Sequence, residues 1–126
     1  MFKKIDHIEI IPQKLERTIA FYTEILGFKI KQRQRVGMPP LEEVVYLELN
    51  GTVIELLSIK DAVPVSPVPW QVGYRMMAIE VEDMDAAVEY LRNKGVEISK
   101  APVTLGKSKR AEIRDPDGLS IELRQW

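Results

Sequence analysis

The sequence predicts an α+β fold made of two tandem βαβββ modules. Their strands form a curved mixed β-sheet around a concave cleft, with the helices on the outer face. Three observations carry this reading. The order of elements along residues 1–59 recurs along 73–126. Asn50-Gly51 and Asp117-Gly118 mark tight turns at matching places. A segment holding Pro64, Pro67 and Pro69 separates the two halves, and prolines so close together favour a stiff, extended connection. The expected organisation is one domain, with module one at 1–59, a linker at 60–72 and module two at 73–126.

In the first half, residues 4–11 carry Ile at four positions and read as a strand that Pro12 ends. Leu15, Ile19, Tyr22 and Leu26 fall on one face of a helix, which Gly27 stops. Phe28 to Arg35 reads as a strand and 36–40 as a loop. Leu41 to Leu49 and Thr52 to Ile59 form a hairpin across Asn50-Gly51. In the second half, Tyr74 to Val81 reads as a strand. Asp83 or Asp85 can cap a helix bearing Met84, Val88 and Leu91, and Gly95 ends it. Val96 to Lys100 is an expected strand, 102–108 a loop, and Lys109 to Arg114 a strand. After the turn at 115–118 comes the last strand, Leu119 to Arg124.

The halves superimpose by offset. Leu15, Ile19 and Tyr22 match Met84, Val88 and Leu91, and Gly27 matches Gly95. Ile54-Glu55-Leu56 matches Ile121-Glu122-Leu123. An ordered repeat of elements with small length changes in loops is the signature of a duplicated unit. Each unit alone leaves one face of a four-stranded sheet bare, and pairing two creates the cleft.

Composition narrows the function. The chain has 126 residues, 45% of them hydrophobic and 29% charged, with a formal charge of −1. These are ordinary values for a globular domain, and nothing basic enough for a nucleic-acid or membrane partner stands out. With no cysteine, disulfides and thiolate metal sites are excluded. No apolar stretch is long enough to span a bilayer, and Met1-Phe2-Lys3-Lys4 does not resemble a signal peptide, so a cytoplasmic location is expected.

Residues two apart on a strand share a face. If Ile8, Ile10, Ile54, Leu56, Ile121 and Leu123 pack under the helices, His7, Glu9, Glu55 and Glu122 face the cleft. By the same alternation Met77, Ile79 and Val81 pack, and Met76, Ala78 and Glu80 face it. His7, Glu55 and Glu122 offer one nitrogen and two carboxylates, a set suited to Zn, Ni, Mn, Co or Fe. The same glutamates could equally pair with Arg75, Arg114 or Arg124 and need no metal.

Five blocks, DHIEI at 6–10, FYTEILGF at 21–28, NGTVIELL at 50–57, AIEVEDMDAAVEYLRNKGV at 78–96 and RDPDGLSIEL at 114–123, resemble those of the vicinal oxygen chelate superfamily. This is the glyoxalase/bleomycin-resistance/extradiol dioxygenase group, and the pattern is most like its glyoxalase I-like members. The resemblance implies a metal held by one residue from each of four equivalent strands, which here are His7, Glu55, Met76 and Glu122. Met76 stands where many members have histidine, and its soft thioether is a poor partner for such metals, so the metal can be absent. With no second histidine, the pattern of extradiol dioxygenases and fosfomycin-type thiol transferases is not met. Ile11 occupies the place where glyoxalase I-like enzymes often carry an arginine for glutathione, which disfavours glutathione adducts.

The resemblance implies a metal-dependent lyase, isomerase or epimerase acting on a small oxo, hydroxy or acyl-thioester substrate through a chelated enolate. Glu122 or Glu55 would move the proton, with Glu9 and Glu80 as further bases or substrate contacts. The alternative is a non-catalytic drug or metabolite binder of the bleomycin-resistance type, with Met38, Met76, Met77, Trp70 and Tyr46 as an adaptable apolar wall. Loops at 36–40 and 102–110, the latter with Lys107, Lys109 and Arg110, would flank the cleft. Members of this size usually pair, so a homodimer is implied, and Trp126 could pack at its interface.

Overall fold

The structure, a computed structural model, describes residues 1–126 and divides into two compact units, Met1–Pro64 and Val65–Trp126. Each is a βαβββ unit. The first runs β1 (Ile8–Ile10), α1 (Leu15–Ala20, continued by a turn of π-helix over Phe21–Ile25), β2 (Lys29–Met38), β3 (Leu41–Leu49) and β4 (Thr52–Ile59). The second runs β5 (Met77–Glu80), α2 (Met84–Asn93), β6 (Ile98–Leu105), β7 (Ser108–Arg114) and β8 (Ser120–Gln125). The sheets have the same order, β1-β4-β3-β2 and β5-β8-β7-β6. In each, the first strand lies parallel to the last and the other pairs are antiparallel.

The expected apolar faces pack. In the first unit Ile19 and Tyr22 are buried, as are Val45, Leu47, Ile54 and Leu56 of the strands, and the Tyr22 and Phe28 rings meet edge-on at 5.6 Å. Met84, Val88 and Leu91 are buried with Ile113, Ile121 and Leu123 in the second. The Asp83 side chain accepts from the Ala86 N–H at 3.0 Å, and at the other end the Val96 N–H returns to the Leu91 carbonyl at 3.0 Å across Gly95. This is the cap geometry that a left-handed glycine makes available. Asn50 and Gly51 both take positive φ, 47° and 87°, as the two-residue hairpin turn requires.

Several boundaries differ from expectation, each for a local reason. The first strand covers only Ile8–Ile10 rather than 4–11, the stretch that pairs with Ile54–Leu56. Because β1 is an edge strand, Ile8 stays 47% exposed instead of packing under the helix. Residues 74–76 do not join β5, whose pairing with β8 begins at Met77 opposite Ile121. The loop expected at 36–40 shrinks to the turn at Pro39-Pro40, and the one at 102–108 to Gly106-Lys107. Pro102 is tolerated within β6 because that strand is an edge and its ladder is already interrupted between Lys100 and Val103. Met77, Ile79 and Val81 are only half-buried on the edge strand side of their sheet.

Candidate functional site

In the first unit, strand register sets the site. Parallel pairing places Glu9 opposite Glu55, and His7 stands just ahead of β1. His7 Nε2 lies 3.0 Å from Glu55 Oε2 and 3.8 Å from Glu9 Oε1, while Nδ1 lies 2.9 Å from Asp6 Oδ2. Tyr46, on β3 opposite Glu55, presents its ring edge-on to the imidazole at 5.6 Å. Glu55 is buried, Glu9 is exposed and His7 lies between. Beside this cluster, Lys4, Asp6, Lys31, Gln32, Tyr46 and Glu48 line a cleft of about 480 Å³.

The charges are coupled. The hydrogen bond to Asp6 raises the His7 pKa above 6.5, burial opposes it, and the Glu55, Asp6 and Glu9 charges add to the rise. A hydrogen bond with Glu55, then burial, raises the Tyr46 phenol, so Tyr46 remains a donor to that carboxylate. The ligand atoms of His7, Glu9 and Glu55 lie within 4.8 Å of one another. One imidazole nitrogen and two carboxylates so close fit a divalent cation by donor type, with the cation taking the place of the proton that the carboxylates otherwise stabilise on His7.

The second unit treats the corresponding positions differently. Glu122, read from the sequence as a ligand and a base, accepts from Arg110 Nη2 and Arg124 Nη1, both at 2.9 Å. Burial pushes its pKa up, but the hydrogen bonds from Arg124 and Arg110 outweigh that and leave it lowered. Met76 sets its sulfur 3.6 Å from Arg75 Nη1. A thioether beside one guanidinium and a carboxylate between two do not fit a dication, which the cations would repel. Glu80 is exposed on β5, opposite Arg124 in the ladder.

Sequence reasoning overlooked Glu112. Its side chain is only 3% exposed, it stands opposite Glu122 across β7 and β8, and Lys100, Arg75 and Arg110 approach it at 3.0, 3.5 and 3.6 Å. The alternation Arg110-Glu112-Arg114 between buried Ala111 and Ile113 was the signal available for it. The basic group at 107–110 also divides: Arg110 turns to Glu122, while Lys109 approaches Asp85 at 3.7 Å.

The family model described as Glyoxalase/Bleomycin resistance protein/Dioxygenase superfamily matches residues 4–123. The chain belongs to this superfamily. Among curated relatives of this glyoxalase-superfamily chain, the uncharacterized protein YwkD of Bacillus subtilis is 38% identical, with 98% of this chain and 97% of that protein covered. Among solved structures, a glyoxalase family protein from Enterococcus faecalis superimposes with a TM-score of 0.85 at 26% identity, covering 98% of each chain. The trypanothione-dependent glyoxalase I of Leishmania major gives a TM-score of 0.80 at 30% identity, covering 98% of this chain and 87% of that one. No helix is long and apolar enough to cross a membrane.

Proposed function

We propose that this chain is a metal-dependent lyase, isomerase or epimerase that moves a proton next to a carbonyl in a small oxo, hydroxy or acyl-thioester substrate. The observation that carries the reading is the His7–Glu55–Glu9 cluster, whose ligand atoms lie within 4.8 Å of one another. In this reading His7, Glu55 and Glu9 hold a divalent cation such as Zn, Ni, Mn, Co or Fe. Such a cation would supply Lewis-acid polarisation of the substrate carbonyl. Glu55, on leaving the cation, takes the substrate proton and returns it, and the Tyr46 hydroxyl steadies that carboxylate. Glu122, already engaged by two arginines, keeps the cationic face of the second unit in order rather than binding metal. The likeness to a glyoxalase I at 30% identity supports the lyase class. Module one, the linker and module two are taken to work as one domain, in a cytoplasmic homodimer. The exposed Phe2, Ile5 and Ile8 on the first unit support a further protein contact there.

The test is solvent deuterium exchange followed by proton NMR, on protein loaded in turn with each of these metals. Substrates would be hemithioacetals of 2-oxo aldehydes and 2-substituted acyl thioesters. Exchange next to the carbonyl, abolished in Glu55→Gln and His7→Ala, is the expected result. No exchange with any metal and either substrate class would remove the enzyme reading.

A second reading is favoured by Met76 and by the paired state of Glu122. Here the chain sequesters a small molecule without chemistry. It requires saturable ligand binding that chelators leave unchanged.

A further inference from the structure

The second unit contains an open cavity of about 890 Å³ that the enzyme reading does not use and whose lining includes Met76, the residue that favours the non-catalytic reading. One wall is the proline-rich segment 65–72, and the other includes Lys100, Glu112 and Arg114 from the sheet. Trp70 is 80% exposed although it lines the cavity, and Tyr74 beside it has no cover at all. Trp70 also adopts φ 59°, the left-handed region that bulky residues avoid. Such strain clusters where a side chain is held out for binding. The Arg75 guanidinium sits 4.8 Å from the centre of the Trp70 ring, which gives that ring a fixed neighbour.

The charge of the cavity is unbalanced. Glu112 is its buried carboxylate and is already approached by Lys100 at 3.0 Å, Arg75 at 3.5 Å and Arg110 at 3.6 Å. Arg114 adds a further guanidinium, which donates to the Gly118 carbonyl at 2.8 Å and faces the exposed Glu97 at 3.7 Å. The lining therefore holds three cations, Arg75, Lys100 and Arg114, against a single carboxylate, Glu112. A cationic ligand would meet three like charges and a carboxylate with no charge to spare.

We propose that this cavity binds a small aromatic or flat apolar anion. Its carboxylate or phosphate group lies at Lys100 and Arg114, and its ring packs on Trp70 and Tyr74. The site needs no metal, so its fate is separate from that of the enzyme reading; it rests on the non-catalytic reading and names its ligand class, and saturable binding of the amine alone would keep that reading while overturning this one.

The experiment is isothermal titration of the full chain, stripped of metal with chelator, using 2-naphthoate, 2-naphthyl phosphate and 2-naphthylmethylamine. At least one of the two anions is expected to saturate one site per chain, with the amine silent. The preferred anion identifies carboxylate or phosphate as the recognised group. Trp70→Asn, which suits the positive φ, is expected to weaken binding about tenfold. Arg114→Gln and Lys100→Gln are expected to weaken it about fivefold each, with circular dichroism confirming that each variant is folded. The proposal is overturned if neither anion binds, if the amine binds as well as the anions, or if Trp70→Asn and Arg114→Gln both leave affinity unchanged.

Discussion

Nε2 of His7 stands 3.0 Å from Oε2 of Glu55, a contact made across two parallel strands whose register also brings Glu9 opposite Glu55. The contact links protonation to metal uptake. A cation needs the neutral imidazole, while Asp6 first, and Glu55 and Glu9 by their charges, favour the protonated one and raise its pKa above 6.5. Metal affinity is therefore expected to fall as the pH drops, with a midpoint above that value. Asp6→Asn is expected to move the midpoint down. Titration of Co or Ni across this range, in wild type and variant, checks both, and a flat pH response would contradict the linkage.

The Glu122 carboxyl is shifted in the opposite direction from His7. Its pKa is lowered from 4.5, the Arg124 and Arg110 hydrogen bonds overcoming the cost of burial. A carboxyl lowered on folding stabilises the fold above its unfolded pKa, and that stability is lost as the pH falls through the folded value. Glu122→Gln is expected to cost about 1–2 kcal/mol near neutral pH. In urea unfolding the gap to wild type should narrow only below about pH 4.5. A gap that widens on acidification would show that the pairing is not what holds Glu122.

The second helix depends on its cap. Asp83→Ala removes the acceptor for the Ala86 N–H and is expected to cost about 1 kcal/mol, read as a lower thermal midpoint. Asp85→Ala, which lacks that bond, serves as the comparison and is expected to cost less.

Leu56 is fully buried beneath the first helix, on the strand that also carries Glu55. Leu56→Ala is expected to cost about 2–5 kcal/mol by denaturant unfolding. Because it loosens β4, metal affinity should weaken with it even though no ligand atom changes. Unaltered affinity in the folded variant would mean that the cluster does not rely on the core behind it.

Much of the fold could be read from the chain because its determinants are local. Asn50-Gly51 fixed the hairpin, and Leu41–Leu49 and Thr52–Ile59 have the expected bounds. The matching glycines at 27 and 95 ended both helices. Pro102 misled because proline excludes a residue only from a paired position, and edge status is a tertiary property. The cluster was half legible: alternation put His7, Glu9 and Glu55 on one face. Of the partners of Glu122, Arg124 was legible as a neighbour two residues along β8, whereas Arg110 was not, since it meets Glu122 through the register of β7 on β8. Glu112 escaped for the same reason, as a buried glutamate is recognisable only once the cations around it are placed.

The most direct test is metal content by mass spectrometry of untagged protein prepared without chelator and then incubated with Zn, Ni, Co or Mn. The account expects close to one ion per chain in wild type and in Glu122→Gln, and loss of the ion in His7→Ala and Glu55→Gln. Absence of metal from wild type under every condition, or equal loss in Glu122→Gln, would contradict it.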